Sequence, residues 1–108
     1  MEILGIEIRW LGHASFRIEK EQKIFIDPFQ IKLIEKDTDL ILITHDHFDH
    51  CSIDDIKKLV NPQAVIIASK MCRSKIDNFK SEVARIIYFV PGDKIKINNA
   101  SIEAVPAY

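Results

Sequence analysis

The chain has 108 residues, the size of one domain, and its 47% apolar and 29% charged content is a globular balance rather than a disordered one. A net charge of −1 with dispersed lysines and arginines argues against a nucleic-acid groove, which needs a basic stripe. No run approaches the roughly 20 apolar residues of a membrane span, and Met1-Glu2-Ile3 lacks the basic start and apolar core of a signal peptide, so a cytoplasmic protein with no nucleic-acid or membrane partner is expected.

Ile6-Glu7-Ile8-Arg9-Trp10 alternates apolar and polar residues, the mark of a half-buried strand. Gly12-His13 breaks it, Phe16-Arg17-Ile18-Glu19 alternates again, and Lys23 to Ile26 follows a polar turn. The three segments predict an antiparallel meander. Asp27-Pro28 ends it, because Pro28 has no N–H to give to a ladder. Gln30 to Asp39 has no clean period and is expected to be irregular, with at most one helical turn.

Leu40-Ile41-Leu42-Ile43 is a short apolar run that reads as a buried strand leading to Thr44. Ser52 then reads as a helix N-cap with an acid three residues on, Asp55. Ile53, Ile56, Leu59 and Val60 recur at helical spacing up to Asn61-Pro62. Asp54 and Asp55 are read as first-turn acids favoured by the helix dipole rather than as metal ligands. Ala64 to Ala68 is a second buried strand, which completes a βαβ unit. Lys70 to Phe79 predicts another helix with Met71, Ile76 and Phe79 inward. Arg85–Val90, Lys94–Ile97 and Ser101–Val105 are strands separated by turns at Pro91-Gly92-Asp93 and Asn98-Asn99. Cys51 and Cys72 are expected to be reduced; Cys51, beside the histidine-rich loop, is expected to be a small buried side chain, with a supporting or redox role as the alternative.

The chemistry concentrates in Thr44-His45-Asp46-His47-Phe48-Asp49-His50, which holds three of the four histidines and two carboxylates. Imidazole and carboxylate are ligands that suit zinc, manganese and iron. Alternate side chains of a near-extended segment point the same way, so His45 and His47 can grip one ion. Asp49 and His50 follow as the chain turns and can face a second. Two ions about 3.5–4 Å apart form the usual clamp for hydrolysis. The loop leaves the carboxyl end of a strand, where open α/β sheets tend to place their sites.

The stretch His45-x-His47-x-Asp49-His50 after Leu-Ile-Leu-Ile-Thr resembles the signature of the metallo-β-lactamase-fold hydrolases. Trp10-Leu11-Gly12-His13-Ala14-Ser15-Phe16 and Phe25-Ile26-Asp27-Pro28-Phe29 resemble the start of a branch of small metal-dependent hydrolases related to the sugar-lactone phosphate lactonases. That resemblance implies an α/β (α+β) fold: the N-terminal half of an αββα sandwich, a mixed β-sheet with two helices on one face. Residues 1–108 would be a single domain truncated before its second half, which in this branch carries a third ligand histidine, a bridging aspartate and a last histidine.

His45, His47, Asp49 and His50 would hold up to two divalent ions, with zinc preferred and manganese or iron as alternatives. Asp49 would also act in catalysis by orienting the attacking water or moving its proton. His13 would support a ligand or touch substrate; the other reading is a turn histidine bonded to its own backbone. Asp27 would accept the free N–H of a ligand histidine, against a plain strand-ending Asp-Pro turn. The implied reaction is hydrolysis of a lactone, ester, amide or phosphodiester in a small-molecule substrate. The alternative is a non-catalytic half-domain or subunit that self-associates and binds metal weakly. An apolar sheet face left exposed would be covered by a second copy or another partner.

Overall fold

The computed structural model of the protein describes residues 2–3, 6–10, 16–19, 22–32, 34–44, 51–97 and 100–103. Its strands in chain order are β1 (Glu2–Ile3), β2 (Ile6–Trp10), β3 (Phe16–Glu19), β4 (Lys23–Ile26), β5 (Leu40–Ile43), β6 (Val65–Ser69), β7 (Arg85–Phe89), β8 (Lys94–Ile97) and β9 (Ala100–Glu103). Helix α1 spans Ile53–Lys57, and α2 spans Arg73–Ile76 between 3₁₀ turns at Lys70–Cys72 and Asp77–Phe79. Strands β1 to β7 form one sheet in chain order, and β8 pairs with β9 in a second. The antiparallel meander of β2, β3 and β4 is present, extended by β1. From β4 to β7 every pairing is parallel.

Parallel strands need long crossovers, and the crossovers from β5 to β6 and from β6 to β7 carry the helices. A strand order that advances one way with right-handed connections places both helices on one face. The side chains confirm this. Phe25, Ile41, Ile43, Ile66 and Ala68 share one core with Ile56, Leu59, Cys72, Ile76 and Phe79. Leu40 and Ile67, one residue out of phase, lie on the opposite face with Ile24, Leu42, Val65, Ile87 and Phe89. Alternate residues of β5 and β6 therefore enter two different cores, which is why these strands are apolar throughout. Each fully buried Leu or Ile adds about 1.5–3 kcal/mol.

Ile95 of β8 and Ile102 of β9 pack on that second face. The chain thus covers the centre of the face expected to lie bare, and the layers run helix, sheet, sheet. The β7–β8 connection is a tight turn in which the Asp93 amide donates to the Val90 carbonyl at 3.1 Å. Gly92 takes φ +99° there, the left-handed conformation that a type II turn asks of its third residue after a proline.

One expectation is corrected. Met71 is 59% exposed, and Cys72 takes the inward position. The buried stripe is Cys72, Ile76 and Phe79, spaced i, i+4, i+7, and Met71 falls one residue outside it. The described part of residues 30–39 is irregular, as expected, with a single turn at 36–37; the segment lies against the end of α1, where the Glu35 amide donates to the Lys58 carbonyl at 3.0 Å. The Asn98-Asn99 turn lies outside the described residues.

Candidate metal centre

His13, His45, His47, Asp49 and His50 lie outside the described residues. The structure describes what holds the two ends of the 45–50 segment. Upstream, Thr44 leaves β5 beside Asp27, which ends β4. Asp27 is 4% exposed. Its carboxylate accepts the Thr44 amide at 2.7 Å and the Thr44 hydroxyl at 2.5 Å. Its own amide donates to the Leu42 carbonyl at 2.7 Å. The bond expected from Asp27 to a ligand imidazole falls on histidines outside the described residues; the bonds described for it fix the residue immediately before His45.

Downstream, Cys51 is buried in the helix-side core, as expected of a small apolar side chain. Ser52 caps α1, accepting the Asp55 amide at 3.4 Å and donating its hydroxyl to the Asp55 carboxylate at 2.6 Å. Asp55 is 4% exposed and does more than complement the helix dipole. Its two oxygens accept the amides of Gln30 and Ile31, each at 2.9 Å. Lys58 donates to Asp55 at 3.4 Å and to the Ile31 carbonyl at 2.6 Å. The Ser52-x-x-Asp55 spacing is legible in the sequence; the attachment to residues 25 and 24 positions upstream is not, because no local signal encodes it.

Burial alone would raise the Asp55 carboxyl, but the hydrogen bonds from Ser52, Gln30, Ile31 and Lys58 outweigh it and hold its pKa below the ordinary 3.8. A pKa lower in the folded chain means that the unfolded chain binds the proton more readily. The resulting stability is fully present above about pH 5 and is lost as pH falls through the lowered native value. Acid titration of unfolding free energy is therefore expected to show a shallower decline below pH 5 in Asp55→Asn than in the unaltered chain. Equal slopes would mean that Asp55 contributes no such linkage.

An open groove of about 510 Å³ lies beside the downstream end. Phe29 and Gln30 border it from the connection after β4, Cys51, Ser52 and Asp54 from that after β5, and Lys75 from α2 after β6. The connections that follow successive parallel strands thus border one recess, and sheets of this kind usually bind ligands beyond the carboxyl ends of their strands. Among the described residues no group of three His, Cys, Asp or Glu side chains could hold a metal. The metal assignment rests on the donor chemistry of residues 45–50, whose imidazoles and carboxylates fit a divalent ion.

A family model described as "Beta-lactamase superfamily domain" matches residues 7–108. The chain belongs to this β-lactamase superfamily family. Among its relatives, a UPF0173 metal-dependent hydrolase of Thermoplasma volcanium is 31% identical over 96% of this chain and 48% of its own. A hydrolase of the same description from Thermococcus kodakarensis is 38% identical over 75% of this chain and 39% of its own. The crystal structure of a Parabacteroides distasonis protein named for the metal-dependent hydrolases superposes with TM-score 0.81 and 28% identity, over 95% of this chain and 46% of that one. The fold is therefore that of the superfamily, and the chain spans about half the length of the curated relatives it matches. Among the described residues no helix is long and apolar enough to cross a membrane.

Proposed function

We propose that this chain supplies the first half of a hydrolytic metal site, with His45 and His47 holding one divalent ion and Asp49 and His50 a second. One observation carries the reading: the segment with this donor set leaves β5 at Thr44, where the buried Asp27 carboxylate grips both the amide and the hydroxyl. A loop fixed in this way can hold ligands in register, which metal geometry demands. Residues 1–108 form one domain in this reading. Zinc is the preferred ion for its affinity for imidazole, with manganese or iron as alternatives.

A bound divalent ion lowers the pKa of a water towards about 7 and polarises a carbonyl or phosphoryl oxygen. Asp49 would orient the attacking water or move its proton, a role worth about 10²–10⁴ in rate. Lys75, Gln30 and Phe29 border the recess in which the rest of a small substrate lies. The bond broken is a lactone, ester, amide or phosphodiester. Further ligands come from a second half, within a longer chain or from a partner, and the reaction takes place in the cytoplasm.

The test is an Asp49→Ala change in a form that carries a complete second half, assayed with chromogenic lactone, ester and phosphodiester substrates. A rate loss of about 10²-fold or more is expected. Undiminished turnover would remove Asp49 from the mechanism.

A further inference from the structure

The two ends of the 45–50 segment are held by one short stretch of chain. Asp27 binds Thr44 at the upstream end. Three residues later, the amides of Gln30 and Ile31 bind Asp55, which binds Ser52 at the downstream end. Between them Pro28 is fully buried, and Ile31 is 6% exposed. Asp27 and Gln30 both adopt left-handed backbone, at φ +46° and +54°. Such conformations cost a non-glycine residue about 1–2 kcal/mol and persist where the surroundings over-determine them. Here the surroundings are the two carboxylate anchors themselves.

We infer that residues 27–31 are a bracket that fixes both ends of the 45–50 segment as one unit, with Asp55 as the positioning residue at its downstream end. The bonds described for Asp55 go to Ser52, Gln30, Ile31 and Lys58. Asp55 acts through Ser52 on one side and through Gln30 and Ile31 on the other. Lys58 closes the clasp by holding both Asp55 and the Ile31 carbonyl. The bracket couples two sites of different origin. Loosening the Asp55 end frees residues 30–31, and through them the turn that aims Asp27 at Thr44. The inference rests on the reading that residues 45–50 hold metal, but its mechanical part does not.

The experiment compares Asp55→Asn with the unaltered 108-residue chain in two measurements. Hydrogen exchange is followed at Thr44, Cys51 and Ser52 without metal, and cobalt(II) is titrated while its visible d–d bands are recorded. A bracket predicts faster exchange at Thr44, which Asp55 does not touch, as well as at Ser52. It also predicts about 10–100-fold weaker cobalt binding, the usual range for partners behind a ligand set, with shifted bands. A lower Tm with unchanged Thr44 exchange and unchanged cobalt affinity would overturn it. If the unaltered chain binds no cobalt, the metal arm is read in a form that carries the second half, and Thr44 exchange alone decides the bracket in the 108-residue chain. If Asp55→Asn does not fold, Lys58→Met, which removes one tether of the clasp and leaves the carboxylate bonded to Ser52, takes its place. It is expected to speed Thr44 exchange a few-fold, about the worth of one hydrogen bond, and unchanged exchange there again overturns the inference.

Discussion

Asp27→Ala is expected to lower the stability of the chain by about 3–5 kcal/mol, since hydrogen bonds to a charged group contribute about 1.5–3 kcal/mol each. Two such bonds, to the amide and hydroxyl of Thr44, end on this carboxylate. The substitution also leaves an alanine at φ +46°, a conformation that aspartate tolerates better than alanine does. Asp27→Asn keeps a carbonyl oxygen for the Thr44 amide and is expected to lose less than half as much. Urea denaturation of both variants, with Thr44→Val and the double mutant Asp27→Ala/Thr44→Val, closes a thermodynamic cycle. A coupling of about 1–2 kcal/mol is expected for partners in direct contact. A loss below about 1 kcal/mol for Asp27→Ala, or no coupling, would show that the upstream end of the metal segment is held by something else.

Replacing His47 by alanine is expected to weaken zinc binding by more than about 100-fold. Changes to residues one step behind a metal ligand already cost 10–100-fold, and removal of a ligand must exceed that. His45→Ala is expected to match it, because in the proposed site the two imidazoles share one ion. Asp54→Ala is the control. Asp54 is exposed in the first turn of α1, and its removal is expected to leave zinc affinity unchanged. Competition against a chromophoric chelator measures all three. Equal affinities for His47→Ala and the unaltered chain would place the metal elsewhere.

Much of this arrangement was legible before any coordinates. The Leu40–Ile43 run announced a strand buried on both faces, and Leu40 and Ile41 indeed enter opposite cores. Ser52 and Asp55 announced the start of α1 by a capping pattern that acts over three residues. Asp27 stood out as a carboxylate at a strand end, yet its partner Thr44 lies 17 residues away. No local preference specifies that pairing; the parallel register of β4 and β5 creates it. The same holds for Asp55, whose amide partners belong to a segment without periodicity. Met71 was misplaced because a methionine looks more like core than a cysteine does. Helical spacing from Ile76 and Phe79 selects Cys72, and position outweighed side-chain type. The second sheet was seen only as strands, since the sequence pattern of β8 and β9 does not say which surface they cover.

The donor-rich segment follows β5, and the residues after it line the groove. Here the connections after β4, β5 and β6 meet, and a carboxylate from the first reaches the end of the second. The central claim is that imidazole and carboxylate from residues 45–50 form the metal centre, with Cys51 turned into the core. X-ray absorption at the zinc K-edge of the zinc-loaded chain tests it most directly. The account predicts nitrogen and oxygen neighbours at about 2.0–2.2 Å with the outer-shell signature of imidazole, and no sulfur at about 2.3 Å. A sulfur neighbour, or a spectrum without imidazole, would contradict it.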